Sequence, residues 1–324
     1  MSKMQNSQGK PLLSVRYVDI DEHSEGQRVD NFLLAQLKGV PRSRIYQILR
    51  KGEVRVNKGR IKPTYRLQSG DRVRIPPVRM AEKAPLPSVP SKLQTQLQQA
   101  VLHESEGVLV LNKPSGLAVH GGSGINLGLI EALRLIYPQY KRLELVHRLD
   151  RDTSGCILVA TSRQALVHLH QQIRTGSLEK IYWVAVNGRW PQKSVVVDAP
   201  LYKFVLPSGE RMVRVSSEGK VSRTRFELVE RFSGLSLLRA HLETGRTHQI
   251  RVHCQHLGHP IIGDTKYNTD KINGEFAELG LGRLCLHASR LAFTQPKTGE
   301  RIVVNAPLDE SLGSVLTQLR NPAR

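Results

Sequence analysis

A proline-rich stretch near the first quarter of the chain divides the sequence into two segments that must fold separately. Five prolines fall between residues 76 and 90. Proline fixes its own φ angle and lacks a backbone N–H, so such a run is excluded from helix interiors and favours an extended connection. We therefore predict a linker over residues 81–100, a small domain over residues 26–80 and a large domain over residues 101–324. Residues 1–25 are polar at their start and are predicted to be a flexible N-terminus.

Positive charge is concentrated in the small N-terminal segment. The 324 residues carry a formal net charge of +20. Residues 26–80 hold 14 Lys and Arg against 3 Asp and Glu, which places +11 of that charge in 55 residues. An excess of this kind indicates a polyanionic partner, most often nucleic acid. Its clustering argues against the alternative, a basic surface that serves only solubility.

Composition and the cysteine pattern narrow the class of protein. Apolar residues make up 39% and charged residues 23% of the chain, which is typical of a globular protein. Cys156, Cys254 and Cys285 form no CxxC pair, so we expect a reducing cytoplasm rather than a disulfide framework. The N-terminus MSKMQNSQGKPLL has no apolar core of a signal peptide, and no apolar run reaches membrane length. We expect a soluble cytoplasmic protein without a membrane partner.

The basic segment has the pattern of two short helices and a small sheet. Apolar residues recur at helical spacing over residues 27–38, and Ile45, Ile48 and Leu49 form a second stripe that Gly52 can end. EVRVN and RVRI alternate like short strands. Basic side chains beside the second stripe and in the following turn are candidates for phosphate contacts, which carry little base information. These candidates are Arg42, Arg44, Arg50, Lys51, Arg55, Lys58 and Arg60.

The larger segment mixes strands and helices without a regular alternation. Strand-like stretches such as GVLVLNK and KIYWVAV are connected by irregular crossovers, which indicates an α+β fold rather than a doubly wound sheet. Between these two stretches, SRQALVHLHQQIRTGS is predicted to be a helix with Ser162 as its N-cap. The Gly-rich stretch PSGLAVHGGSG contains neither GxxxxGK[ST] nor GxGxxG. A nucleotide-phosphate cradle is therefore not expected, and the stretch is interpreted as a loop near a cleft.

Four histidines and one cysteine near residue 250 raise the question of a metal site. Their spacing matches no standard zinc set, and Arg246 and Arg251 between them would repel a cation. We expect these histidines to be polar or satisfied core residues, and we expect no metal and no cofactor. The residues concerned are His248, His253, Cys254, His256 and His259.

The stretch HRLDRDTSG contains two carboxylates with different surroundings. Asp152 fits a turn, because DTSG is a typical turn sequence. Asp150 lies between the apolar LELV and CILVA, and so near the floor of a cleft. An ionised carboxylate in a cleft is a candidate nucleophile or base. The alternative for Asp150 is an aspartate that caps the backbone of its own turn.

Two other stretches supply groups that could face Asp150. The stretch TGRTHQIRVHCQHLGHP is predicted to be a helix closed by Gly258, on which His248 lies three residues before Arg251 on the same face. Arg251 also lies beside the apolar Ile250, and an inward-leaning arginine is costly unless it meets a carboxylate such as Asp150. In KIYWVAV, strand alternation places Lys180 and Tyr182 on one face. Tyr182 is either a packed core residue or a phenol that lines the cleft, able to stack on a base or to pass a proton.

Together these stretches resemble the successive motifs of the RluA family of RNA pseudouridine synthases. The resemblance is carried, in the family's order, by HRLDRDTSG, KIYWVAVNG, LETGRTHQIRVH with GHPIIGD, and LCLHASRLAF. The basic N-terminal segment resembles an S4 RNA-binding domain. The resemblance runs from about Gln27 to the C-terminal region and implies a catalytic domain built on a mixed, largely antiparallel sheet, without cofactor or metal.

The resemblance also implies roles for individual residues. Asp150 matches the catalytic aspartate, and Arg148 matches the arginine that fills the space left by a flipped base. Tyr182 matches the active-site tyrosine, while Arg251 matches the basic residue that pairs with the aspartate and Ile250 its packing neighbour. We expect four nearby residues to support the site, namely His147, Lys180, Arg246 and His248.

The first hypothesis for function is an isomerase that converts specific uridines of 23S ribosomal RNA to pseudouridine. Its partner would be 23S rRNA or a large-subunit precursor, and we expect a monomer. The second hypothesis is an RNA-binding or ribosome-assembly protein, against which the complete set Arg148, Asp150, Tyr182 and Arg251 argues. The third is a metal-dependent RNA hydrolase that uses the histidines, which insensitivity to a chelator would exclude.

Overall fold

Two units, residues 1–87 and 88–324, make up the chain in its computed structural model. The structure describes residues 14–22, 24–37, 39–78, 88–121, 127–308 and 310–320. Each unit has its own hydrophobic core. Residues 79–87 of the proline-rich stretch and residues 1–13 of the predicted flexible N-terminus lie outside the described residues.

The N-terminal unit contains the two predicted helices and a small antiparallel sheet. Its elements are β1 (Arg16–Asp19), α1 (Val29–Gln36), α2 (Arg42–Arg50), β2 (Arg55–Val56) and β3 (Arg72–Ile75). The strands are ordered β1-β3-β2. The stripe Ile45, Ile48 and Leu49 is buried, as its helical spacing predicts. Strand β1 lies inside the segment that was predicted to be flexible. It is held in place because it pairs with β3 and because Val18 packs against the core of this unit.

Twelve strands of the C-terminal unit are described. They are β4 (Val101–Ser105), β5 (Val108–Lys113), β6 (Glu144–Leu145), β7 (Ser154–Ala160), β8 (Glu179–Asn187), β9 (Ser194–Asp198), β10 (Leu201–Val205), β11 (Arg211–Val215), β12 (Arg223–Arg231), β13 (Leu235–Leu242), β14 (Leu286–Thr294) and β15 (Arg301–Asn305). Ten of these described strands form one sheet with the path β4-β5-β7-β14-β8-β13-β12-β9, to which β6 and β15 add through β7 and β14. Among the described pairs only β7 and β14 run parallel. The mixed, largely antiparallel sheet confirms the α+β prediction.

Six helices of the C-terminal unit are described: α3 (Ser91–Gln99), α4 (Leu129–Ile136), α5 (Arg163–Thr175), α6 (Gln249–His256), α7 (Asp270–Glu278) and α8 (Glu310–Arg320). Helix α5 begins as the sequence predicts, with the Ser162 hydroxyl accepting from the Ala165 N–H at 3.2 Å. The prediction of a linker up to residue 100 is wrong over α3. Leu97 of that helix is fully buried in the core, which holds the segment in place.

Glycines at two positions allow parts of the site to approach one another closely. Gly155, at the start of β7, has a φ of +106°, and a Cβ there would overlap the backbone of Ala288 on β14. Gly263 has a φ of +73°, and a Cβ there would overlap the carbonyl of Arg283. Only glycine fits both the dihedral angle and the space at these points. They fix the loops on either side of the pocket described next.

Strands β10 and β11 form a separate hairpin outside the large sheet. Leu201 and Val213 of the hairpin pack with Val252 of α6 and with Tyr267 in a small buried cluster. The backbone N–H of Val213 also donates to the Tyr267 hydroxyl at 3.0 Å. The hairpin is therefore anchored on the helix that carries Arg251.

Candidate active site

The loop between β6 and β7, residues 146–153, carries the HRLD motif and is held by a buried lysine. Lys113, at the end of β5, has no exposed surface. Its Nζ donates to the carbonyls of Pro114, Leu117 and Arg151 at 2.8–2.9 Å. Burial lowers the pKa of Lys113 to about 7, an effect that the nearby Asp152 and Asp150 oppose. The ammonium ties the loop to the end of the neighbouring strand.

Asp150 and Asp152 point into different surroundings. The Asp150 carboxylate is 18% exposed, and its Oδ2 lies 3.4 Å from Nη1 of Arg251 and 3.9 Å from Nε2 of His248. Asp152 is 44% exposed and pairs with the exposed Arg151 at 3.1 Å. The sequence prediction that Asp152 is a turn residue and Asp150 a cleft residue agrees with these contacts.

Arg251 joins Asp150 to a second, fully buried carboxylate. Its Nε and Nη2 donate to the two oxygens of Asp264, both at 2.7 Å. Burial acts to lower the pKa of Arg251, but the hydrogen bonds to Asp264 and its charge raise that pKa above the ordinary value. The predicted contact between Arg251 and Asp150 is present at 3.4 Å, yet the bidentate partner is Asp264. Because a buried arginine shared by two carboxylates cannot rotate freely, Asp264 orients Arg251 toward Asp150.

Sequence reasoning missed Asp264 as a site residue. It follows a buried strand-like pair, Ile261 and Ile262, and the positive-φ Gly263 in the motif GHPIIGD. A carboxylate directly after a buried apolar pair and a glycine is costly unless it meets a cation. That signal, beside the inward-leaning Arg251, could have revealed the contact.

His248 stands at the start of α6 in a left-handed conformation, with a φ of +53°. This geometry contradicts the expectation that the helix extends back through residue 248, where Arg251 would have His248 one turn away on the same face. Its Nδ1 lies 2.7 Å from the Tyr267 hydroxyl. Because that hydroxyl already accepts from Val213, it can donate to Nδ1, which leaves the proton of His248 on Nε2, facing Asp150. Burial lowers the pKa of His248, although Asp150 acts in the opposite direction.

Tyr182 and Lys180 reach the same pocket from β8, as strand alternation predicts. The pocket has a volume of about 260 Å³ and is lined by Asp150, Tyr182, Lys180, Ile250 and Arg251 among others. Tyr182 is only 5% exposed. Burial and the charge of Asp150 raise the pKa of Tyr182, so its phenol keeps its proton at neutral pH. Burial lowers the pKa of Lys180.

His147 and Arg148 both line the pocket but have different surroundings. Nε2 of His147 accepts from the N–H of Leu158 at 3.1 Å, which fixes the loop against β7. Burial lowers the pKa of His147 to about 3, so the ring is neutral. Arg148 is exposed and lines the mouth of the pocket. Arg246 also lines the pocket and donates from Nε to the carbonyl of Val221 at 3.1 Å.

Three of the four histidines near residue 250 have separate partners, and the fourth, His256, is exposed. His253 is buried and contacts the Thr224 hydroxyl at 2.9 Å and the Ala199 carbonyl at 3.0 Å. His259 contacts the carbonyl of Asn187 at 2.8 Å. Within the described ranges, no group of three or more His, Cys, Asp and Glu side chains could hold a metal ion.

The candidate RNA-binding side chains of the N-terminal unit are all exposed. They are Arg42, Arg44, Arg50, Lys51, Arg55, Lys58 and Arg60. Asn57 and Lys58 have φ values of +49° and +68°, which places a tight turn in the middle of this basic surface. Sequence reasoning missed Tyr17, which is 57% exposed with the Arg72 guanidinium 5.0 Å from its ring centroid. Strand β1, which carries Tyr17, was not predicted.

Comparison with known proteins assigns both units. Residues 107–256 match the RNA pseudouridylate synthase family, and residues 27–73 match the S4 domain. The chain belongs to the RluA-type RNA pseudouridine synthases that carry an N-terminal S4 domain. No helix among the described residues is both long and apolar enough to cross a membrane.

Individual relatives are similar over nearly the whole chain. The protein is 55% identical over 309 residues to ribosomal large subunit pseudouridine synthase C of Pasteurella multocida (strain Pm70), a match that covers 95% of this chain and 94% of the relative. The identity to the synthase of the same name from Escherichia coli (strain K12) is 54% over 312 residues, covering 95% and 98%. Among solved structures, human RNA pseudouridylate synthase domain containing 4 is similar with a TM-score of 0.59 and 26% identity, covering 71% of this chain and 96% of that one.

Proposed function

We propose that this enzyme isomerises specific uridines of large-subunit (23S) ribosomal RNA to pseudouridine, with Asp150 as the catalytic carboxylate. One observation carries the proposal: the Asp150 carboxylate lies in a pocket, within 3.4 Å of an arginine that a second carboxylate orients. The names of the relatives, which are synthases of the ribosomal large subunit, support the substrate class.

The reaction needs no redox partner and no energy input. The C1′–N1 bond of uridine breaks, the uracil rotates, and a C5–C1′ bond forms, after which the proton at C5 moves to N1. Atoms and electrons balance within the nucleotide. The target uridine must leave its stack to reach the pocket, at a cost of a few kcal/mol. The protein therefore has to bind the displaced base and place one carboxylate against the ribose or the base.

Asp150 acts in its ionised form along each route that its position allows. It adds to C1′ of the ribose, adds to C6 of the base, or removes the 2′ hydrogen. All three routes need an oriented carboxylate, and the guanidinium of Arg251, 3.4 Å away, holds the carboxylate of Asp150 in place. Tyr182, which stays protonated, stacks on the uracil or transfers a proton at the base. Arg148 at the mouth of the pocket takes the place of the flipped base.

The exposed cations of the N-terminal unit supply the affinity for RNA. Phosphate contacts of this kind are independent of sequence and weaken with salt. Removal of residues 1–80 is expected to weaken RNA binding and reduce its salt dependence more than it disturbs the C-terminal unit. We also propose that the protein works as a monomer in the cytoplasm, where buried cysteines such as Cys156 and Cys254 are stable as thiols.

The test is a pair of substitutions two residues apart. Asp150→Asn is expected to abolish tritium release from 5-³H-uridine RNA and to remove the corresponding pseudouridines from the large-subunit rRNA of a strain in which it is the only copy. Asp152→Asn removes an exposed carboxylate from the same loop and is expected to leave both signals within about twofold, as for surface substitutions in general.

Three results would count against the proposal. Persistence of the modifications with Asp150→Asn would remove Asp150 from its catalytic role. Wild-type protein that binds rRNA fragments without releasing tritium would favour an RNA-binding or assembly role. Activity abolished by a chelator would favour the metal-dependent hydrolase.

A further inference from the structure

A second cavity adjoins the pocket of Asp150. It has a volume of about 440 Å³ and lies between the β10–β11 hairpin and the segment before α6. Arg148, Gly245, Arg246 and Thr247 line both this cavity and the Asp150 pocket. The Asp150 pocket and the second cavity therefore share one wall and are direct neighbours.

The walls of this cavity are fixed by backbone contacts. Leu201 on β10 exchanges two backbone hydrogen bonds with Lys220, each 2.9 Å. Gly219 lies against the same residue, where a Cβ would overlap the backbone of Leu201. The hairpin is anchored from the other side by Val213 and Tyr267, and its far end by the ion pair of Glu210 and Lys266. The cavity is thus a preformed feature of the C-terminal unit.

Positive charge in this cavity exceeds negative charge. The lining contains the cations Arg148, Lys203, Lys220 and Arg246 and one carboxylate, Glu218. Burial lowers the pKa of Lys203, and so do Arg148, Lys220 and Arg211, while Asp150 opposes them. Like charges that converge in a cavity repel one another unless an anion enters. Tyr202, 38% exposed, adds an aromatic wall to the same cavity.

We propose that this cavity binds the phosphodiester of the nucleotide next to the flipped uridine, through Lys203 and Lys220. The proposal rests on the proposed function, because it assumes that the uridine occupies the Asp150 pocket. Lys203 and Lys220 bind the RNA backbone and take no part in the chemical step, since the reacting atoms lie in the neighbouring pocket. They raise the affinity for RNA strands that can place a backbone phosphate at this point.

The experiment combines a double variant with backbone-modified RNA. The substrate is a short single-stranded RNA with one target uridine carrying 5-³H, in which single phosphates on either side of the uridine are replaced by neutral methylphosphonates. The variant Lys203→Ala with Lys220→Ala is compared with wild type. Arg189→Ala with Lys193→Ala is the control, because it removes the same charge from exposed residues between β8 and β9 that line neither the pocket nor the second cavity. Unfolding of each protein is measured in parallel.

For wild type, one methylphosphonate position next to the uridine is expected to raise KM about tenfold with kcat nearly unchanged. The Lys203 and Lys220 variant is expected to show a similarly raised KM on unmodified RNA, and no further increase from that methylphosphonate. The salt slope of binding is expected to fall by about 0.7 for the lost phosphate contact on a single strand. The single variant Lys203→Arg keeps the positive charge and is expected to keep most of the wild-type affinity for RNA.

Two results would overturn the proposal while leaving the proposed function intact. One is an active variant with a KM equal to that of the Arg189 and Lys193 control. The other is a variant that remains as sensitive as wild type to every methylphosphonate. That result would mean that the two lysines act only through the overall positive charge of the protein. Wild-type protein without tritium release would instead remove the proposed function itself.

Discussion

Replacing Asp264 by asparagine tests whether the buried pair of Arg251 and Asp264 holds the active site together. Oδ1 of Asp264 accepts from Arg251 Nη2 at 2.7 Å and from the backbone N–H groups of Lys266 and Tyr267 at 2.9 and 3.2 Å. Oδ2 accepts from Arg251 Nε at 2.7 Å. An asparagine that keeps its oxygen at the crowded Oδ1 position must turn its amide toward Arg251 Nε. Two donors then face one another in a buried site.

The expected cost is that of breaking a buried ion pair from one side, about 3–5 kcal/mol. For a unit of this size each kcal/mol lowers Tm by about 2–4 °C, so the loss amounts to about 6–20 °C. Trp183 and Trp190, the two tryptophans of the chain, both lie in the C-terminal unit. Urea unfolding followed by tryptophan fluorescence therefore reports on the unit that carries the substitution.

Activity should fall as well, because Arg251 loses the contact that orients it toward Asp150. We expect tritium release to drop about 10²-fold at a temperature where the variant is folded, the size that a misplacement of about 1 Å produces. The exposed Asp152→Asn is the charge-matched control and should change stability by less than about 0.5 kcal/mol. Combining Asp264→Asn with Arg251→Met should recover part of the stability, since neither member of the buried pair then remains as a lone charge, but not the activity.

One outcome would refute this reasoning. If Asp264→Asn unfolds within about 1 kcal/mol of wild type and keeps its rate within about threefold, the buried pair neither stabilises the unit nor positions Arg251.

Three further predictions concern residues around the same loop. Burial lowers the pKa of His147 to about 3. Between pH 6.5 and 3 the unfolded chain therefore binds a proton at this residue that the folded protein does not bind. As a result, the free energy of unfolding falls as the pH falls through this range. His147→Gln, which keeps an acceptor for Leu158, should reduce that slope by up to about 1.4 kcal/mol per pH unit in urea titrations; an unchanged slope would show that His147 does not titrate this way. Tyr182→Phe should lower kcat by about 10²-fold or more with KM unchanged in single-substrate kinetics, as expected for a lost proton transfer, and a rate near wild type would leave only stacking. Gly155→Ala should destabilise the unit by several kcal/mol in thermal unfolding, because a Cβ overlaps the backbone of Ala288, and a fully stable variant would contradict the close approach of β7 and β14.

The elements that the sequence predicts well are those encoded by neighbours in the chain. Helix α2 follows from its apolar stripe, and α5 from its stripe and the Ser162 cap. The placement of Lys180 and Tyr182 on one strand face follows from alternation alone. Asp150 stood out because a charged loop interrupts two buried stretches, a signal that is also local.

The features that escaped prediction depend on contacts between distant segments. The bidentate bond of Arg251 to Asp264 requires the turn at Gly263 to bring the two residues together, and no period in the sequence encodes it. The start of α6 was predicted too early, because His248 fits the helical spacing of the sequence. In the structure its backbone is left-handed and its side chain contacts Tyr267, so the helix begins only after it. Helix α3 was predicted to be part of the linker because its sequence is mostly polar, and Leu97 is its one buried residue.

The parallel contact of β7 with β14 has a consequence for how the enzyme becomes active. Ser154, directly after the HRLD loop, pairs with His287, and their side chains meet at 2.9 Å across 133 positions of sequence. A contact this distant in the chain can form only when a long loop closes, at a cost in chain entropy. During synthesis, the loop with Asp150 emerges well before the strand that fixes its exit. The contact that fixes the exit of the Asp150 loop is therefore absent until the chain has been synthesised as far as β14.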